Sequence, residues 1–125
     1  MTEKRPYNRL QSVDGEGARW TEGFWEERFA LCCETVVPHM RRALEHPENA
    51  ASFANFYIAA GLKDGVRQGV DWGDGDCYKW IEAASQVCAA TGDEELDRQL
   101  DELIEVIGKA QEADGYICTQ TQLTE

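Results

Sequence analysis

A chain of 125 residues with 24 acidic and 12 basic side chains, net charge −12, fits one small domain. That charge is unsuited to nucleic acid or to an anionic membrane surface, both of which recruit Lys and Arg. Apolar residues make up 42%, with four Trp, four Tyr and four Phe, which is enough for a packed core and too much for a disordered chain.

Residues 1–23 read as an irregular leader, punctuated by Pro6, Gly15, Gly17 and Gly23 and showing no period. Its polar start, MTEKRPYNRLQSVDGEG, lacks the apolar core of a signal peptide, and no apolar run reaches membrane-span length. The expected compartment is therefore the cytoplasm. The five cysteines (32, 33, 77, 88 and 118) are odd in number and contain no C-x-x-C pair, so reduced thiols are expected.

A helix is predicted from FWEERFALCCETVVPHMRRALEH. Trp25, Phe29, Cys32, Val36, Met40 and Ala43 recur at steps of three and four and should share its buried face. Pro38 removes a backbone donor within it and should kink or divide it. HPENAAS is then a loop, and SFANFYIAAG a short helix with Gly61 as its C′ residue. The glycine-rich stretch 61–75 reads as a long ordered loop.

Two clearer helices follow. Over 77–91 the apolar stripe is Cys77, Trp80, Ile81, Ala84, Val87 and Cys88, with Asp76 as the expected N-cap. Gly92 stops this helix and Asp93 caps the next, whose apolar face is Leu96, Leu100, Leu103, Ile104, Ile107 and Ala110. So short a connection implies an antiparallel helical hairpin. Asp114-Gly115 ends it and YICTQ is expected to run on extended. No strand alternation precedes residue 116, so the fold class is all-α.

The segment GDGDCYKWIEAAS, residues 73–85, raises the question of function. A calcium loop starting at Asp71 would place Glu82 correctly at position twelve. It fails at positions three and five, which are Gly73 and Gly75, and at position six, where Asp76 stands instead of the glycine of the turn. The bland alternative is a capped helix start: Asp76 as cap, Tyr78 and Lys79 on the solvated face, Trp80 in the core.

Taken with NFYIAAG and DEELDRQLDELIEVIGKAQEADGYICTQ, this segment resembles the N-terminal part of glycoside hydrolase family 127, the β-L-arabinofuranosidase-like enzymes. The Tyr-Lys-Trp-x-Glu-Ala and Gln-x-x-Asp-Gly-Tyr pieces carry the resemblance, in the family's order and spacing, over roughly residues 20–121. It implies an (α/α)6 barrel of six helical hairpins, of which residues 24–125 form a partial N-terminal segment. It also implies a carbohydrate partner and a retaining mechanism with a zinc-bound cysteine thiolate as nucleophile. In the family that zinc is held by three cysteines and a glutamate, and a second glutamate is the expected acid/base. These residues lie far downstream of the matching segment, so no catalytic or metal residue is assigned to this chain and no cofactor is expected in it.

Cys32-Cys33 has a counterpart in the family's adjacent cysteines, but the flanking residues differ. On a helix the two would also point about 100° apart, one toward the core and one away. His39 and His46 have no nucleophilic partner in any motif. The candidate sugar contacts are Asp74, Asp76, Tyr116 and Gln120. They combine carboxylate and amide groups for hydroxyls with an aromatic face for sugar C–H groups, and they fall at helix ends, where a barrel collects its loops. Asp74-Gly75-Asp76 replaces the family's Asp-Ser-Asp, and Cys118 and Gln120 replace an asparagine and an aromatic residue.

Two functions compete. The chain is a segment of a glycoside hydrolase that is inactive alone, or it is a stand-alone helical binding module. An incomplete ring would expose apolar helix faces open to self-association. The ending TQLTE has no helix stop, which suggests a chain that continues.

Overall fold

The computed structural model describes residues 18–124 and is all-helical over them. The expected leader lies outside the described residues for 1–17, and 18–23 form no helix. The elements are α1 (Phe24–Leu31), a π-helical turn (Cys32–Val36), α2 (Val37–Glu45), α3 (Ser52–Ala59), α4 (Gly73–Thr91), α5 (Glu94–Ala110) and α6 (Thr119–Thr124).

Pro38 explains the π turn. It has no N–H, and its ring would crowd the carbonyl four residues back. The chain widens just ahead of it, so the Val37 N–H donates to Cys32 O, five residues away. The wide turn inserts about one residue, so every later side chain shifts its face. The stripe predicted from a constant helical period therefore fails in its second half. Val36 and Met40 are exposed, and Val37 and Leu44 are buried in their place. Trp25, at the helix start, is exposed as well. Cys32 and Cys33 both lie half-buried against the core, contrary to the expectation that only one would.

The core gathers around α3 and the α4–α5 hairpin. Phe53 and Phe56 of α3, Cys77, Trp80, Ala84 and Val87 of α4, and Leu96, Leu100, Leu103, Val106 and Ala110 of α5 are buried together. Trp80 meets Phe53 edge-on at 5.4 Å and donates its indole N–H to Val37 O at 3.0 Å. The Arg41 guanidinium, moved inward by the π turn, lies 5.8 Å from the Phe53 ring centre and 5.4 Å from that of Trp80. On α5, Ile104 of the expected face is 52% exposed, and Val106, which lay outside that face, is buried with Leu96, Leu100, Leu103 and Ala110. Ile107 and Ile81 are half-buried.

The hairpin is closed as expected. Gly92 takes the left-handed conformation at φ +70°, and Asp93 Oδ1 accepts from the Glu95 and Leu96 N–H groups, both at 3.0 Å. The start of α4 differs from expectation. It begins at Gly73, so the loop ends earlier and Asp76 is not a cap. The Gly73 N–H donates to Val70 O and the Gly75 N–H to Trp72 O, which already winds this stretch before Asp76 is reached. Asp76 instead pairs with Lys79 one turn on, at 3.0 Å. The second half of YICTQ is likewise not extended, since α6 starts at Thr119.

The loop before α4 is fastened to α3. Buried Asn55 donates through its side-chain amide to Gln68 O at 2.8 Å and accepts from the Gln68 N–H at 3.1 Å. This matched pair satisfies a buried amide that would otherwise be costly.

Candidate functional site

The motif residues converge where the start of α4 meets the turn that follows α5. The Gln-x-x-Asp-Gly-Tyr segment builds that turn from its own side chains. Asp114 Oδ1 accepts from the Tyr116 N–H at 2.9 Å, Gly115 takes φ +95°, and the Gln111 amide donates to Gly115 O at 2.8 Å. The Gln122 amide then donates to Ala110 O at 2.8 Å, which ties α6 back to the end of α5.

Asp74 joins the two halves of the corner. Its carboxylate accepts from the Thr119 N–H at 2.7 Å and from the Thr119 hydroxyl at 2.5 Å. Thr119 is fully buried and opens α6, so Asp74 caps a helix 45 residues further along the chain. Both carboxylate oxygens are engaged, which makes Asp74 a clasp between α4 and α6.

The other candidates are placed differently. The Tyr116 ring is half exposed at the surface, and its hydroxyl donates to Thr121 Oγ1 at 3.2 Å. Gln120 is half-buried, and its side-chain oxygen is buried without a hydrogen-bond donor. Asp76 turns toward Lys79. The structure thus brings Asp74, Tyr116 and Gln120 to one corner, with Asp76 held in a separate ion pair one turn along α4.

Sequence reasoning passed over Thr119 and took Cys118 only as a departure from the family pattern. Thr121 Oγ1 lies 3.6 Å from Cys118 Sγ in donor geometry. Backbone and side-chain hydrogen bonds from Thr121 hold the Cys118 thiol below its ordinary range, burial opposes this, and Tyr116 adds to the lowering. The other shifted thiols move the opposite way. Burial pushes Cys33 and Cys88 up, and Cys77 up to about 12.

No group of three or more His, Cys, Asp or Glu able to hold a metal ion converges among the described residues. These residues do not fit the zinc site of three cysteines and a glutamate that the resemblance implies. No helix of the described residues is long and apolar enough to cross a membrane.

Comparison with known proteins identifies the family. Residues 18–125 match the family model for the β-L-arabinofuranosidase GH127 catalytic domain. The non-reducing end β-L-arabinofuranosidase of Bifidobacterium longum subsp. longum is 30% identical over an alignment of 119 positions that covers 82% of this chain and 18% of that protein. The crystal structure of a GH127 β-L-arabinofuranosidase from Geobacillus stearothermophilus T6 superposes with a TM-score of 0.80 at 32% identity, covering 85% of this chain and 17% of that one. The chain thus spans under a fifth of the length of the relatives it matches. Its helices are those of the N-terminal part of a six-hairpin barrel, and the chain belongs to the glycoside hydrolase family 127 β-L-arabinofuranosidase catalytic-domain family.

Proposed function

We propose that this chain is the N-terminal part of a cytoplasmic carbohydrate-metabolising enzyme that hydrolyses terminal β-L-arabinofuranosyl residues, and that it supplies scaffold and sugar contacts rather than the reacting groups. The family match over residues 18–125 carries this reading. In it, the zinc-bound cysteine and the glutamates of the mechanism belong to the larger part of the barrel, beyond the span matched here, and this segment alone has no turnover. Its ligand is a sugar rather than nucleic acid, in keeping with the net charge of −12.

Within the corner the roles divide by hydrogen-bond capacity. The Gln120 side-chain oxygen is a buried acceptor with no donor, a state that costs free energy until a hydroxyl reaches it. The Tyr116 ring offers an exposed face for the C–H side of a furanose. Asp74 holds Thr119 and so positions Gln120, the next residue, without itself needing to meet the sugar. Asp76 contributes at the margin, where its pair with Lys79 orders the first turns of α4.

A titration of the isotope-labelled chain with methyl β-L-arabinofuranoside tests these roles by nuclear magnetic resonance. The expected result is saturable shifts of the Gln120 side-chain amide and the Tyr116 ring, lost in Gln120→Ala. Shifts confined to other surfaces, or none at all, would remove the corner from the sugar-binding site.

A further inference from the structure

Two members of the triplet Tyr78, Lys79 and Trp80 have a role within the fold: Trp80 fills the core and Lys79 pairs with Asp76. Tyr78 is different. It is 41% exposed, and its ring leans on fully buried Phe56 with centroids 5.7 Å apart. It stands four residues after Asp74, one turn along the same face of α4. Helical side chains slant toward the N-terminus, so the Tyr78 ring covers the turn that carries Asp74. Burial raises the Tyr78 phenol, and the nearby Asp74, Cys77 and Cys118 raise it further. Tyr78 therefore borders the clasp between Asp74 and Thr119, beside residues 118–120. Exposed aromatic residues elsewhere pair among themselves at the α1 end, Trp20 with Phe29 and Phe24 with Trp25.

The tyrosine hydroxyls also differ. That of Tyr57 donates to Glu102 at 2.8 Å and that of Tyr116 to Thr121 at 3.2 Å. The Tyr78 hydroxyl has no such partner among the described residues, and at neutral pH it is a protonated donor. We propose that Tyr78 is a further sugar-contacting residue of this corner, its ring covering the furanose from the α4 side and its hydroxyl donating to a sugar hydroxyl. The proposal rests on the reading of the corner as a sugar site. The groups present are complementary: Gln120 offers a buried acceptor without a donor, and Tyr78 a donor without an acceptor. Sugar hydroxyls both donate and accept, so neighbouring hydroxyls on one ring satisfy the two together. An anionic ligand is disfavoured by the Asp74 carboxylate beside them.

The test titrates the isotope-labelled chain and its Tyr78→Phe variant with methyl β-L-arabinofuranoside, following the Tyr78 and Tyr116 rings and the Gln120 side-chain amide. In the parent, Tyr78 should shift with the same Kd as Tyr116 and Gln120. Tyr78→Phe keeps the ring on Phe56 and removes only the hydroxyl, so its melting curve should match the parent's while its Kd rises about tenfold. Tyr78→Ala, which also removes the ring, should bind more weakly still. Tyr57→Phe, which removes a hydroxyl bonded to Glu102, should leave the Kd unchanged. An unchanged Kd in Tyr78→Phe, with the Tyr116 and Gln120 shifts intact, would overturn the proposal and leave the corner as a sugar site. A weaker Kd that comes with a lower melting temperature in Tyr78→Phe would also overturn it, because the hydroxyl would then serve the fold. No saturable shift of Tyr116 or Gln120 in the parent would remove the corner from the sugar site, and the proposal would fall with it.

Discussion

Asp74 and Thr119 lie 45 residues apart and are joined by two hydrogen bonds to one carboxylate, at 2.7 Å from the backbone N–H and 2.5 Å from the hydroxyl. Charge-assisted bonds of this kind are stronger than neutral ones, and Thr119 is buried, so removing the carboxylate strands two donors. Asp74→Ala should therefore cost about 2–4 kcal/mol in urea melts. Asp74→Asn, which keeps one acceptor oxygen, should cost less. A loss under about 0.5 kcal/mol for Asp74→Ala would show that the clasp is not structural.

The sequence made the hairpin legible because its signals are local. Asp93 and Gly92 cap and stop helices through their own backbone neighbourhood, and the α4 stripe needs only a constant period. The π turn was hidden because Pro38 permits several responses, and widening the helix, kinking it and breaking it look alike in sequence. The start of α4 was misplaced because Asp76 has the chemistry of a cap. Backbone bonds from Gly73 and Gly75 had already begun the helix, and glycines at a helix start are read more readily as loop. The role of Asp74 was not legible at all. Its partner is Thr119, and no local pattern links two residues so far apart.

Trp80 should be the most costly single truncation. It is 4% exposed, stacks edge-on with Phe53 and is bonded to Val37 O. Trp80→Ala should cost about 3–5 kcal/mol. Trp80→Phe, which keeps an aromatic ring and gives up the indole donor, should cost about 1–3 kcal/mol. Equal losses in both variants would show that the hydrogen bond, and not the packing, carries the effect.

Two backbone positions at positive φ should respond unequally to substitution. Gly69 has φ +80°, and a Cβ there would lie 2.1 Å from Ala50 O, so Gly69→Ala should strongly destabilise the fold. Among the described residues Ala51 is the non-glycine residue at positive φ, 51°, where a side chain costs about 1–2 kcal/mol. Ala51→Gly relieves that strain but loses a buried methyl and adds unfolded-state entropy, so its melting temperature should stay close to that of the parent. A larger loss in Ala51→Gly than in Gly69→Ala would contradict this backbone account.

The thiols should separate by reactivity and by pH. Cys118, held low by Thr121, should be alkylated first by iodoacetamide, and fully buried Cys77 only on unfolding. Burial raises the Cys77 thiol from its ordinary 9.0 to about 12, so the folded state favours the neutral form. Its contribution to stability is fully present below pH 9.0 and is lost as pH rises toward about 12. Tyr57, raised to about 12 by burial and by its bond to Glu102, acts in the same direction. Urea midpoints on either side of pH 9.0 should fall with rising pH, and Cys77→Ala should flatten that slope. A slope unchanged in Cys77→Ala would assign the alkaline loss to other groups.

In the proposed reading these 125 residues furnish part of a barrel and none of its reacting groups. The direct measurement is metal analysis of the purified chain beside a chromogenic assay with an aryl β-L-arabinofuranoside. No turnover and no stoichiometric zinc are expected. Stoichiometric zinc whose removal by a chelator abolishes hydrolysis, together with loss of both in Cys33→Ser, would contradict it and place the catalytic apparatus inside this chain.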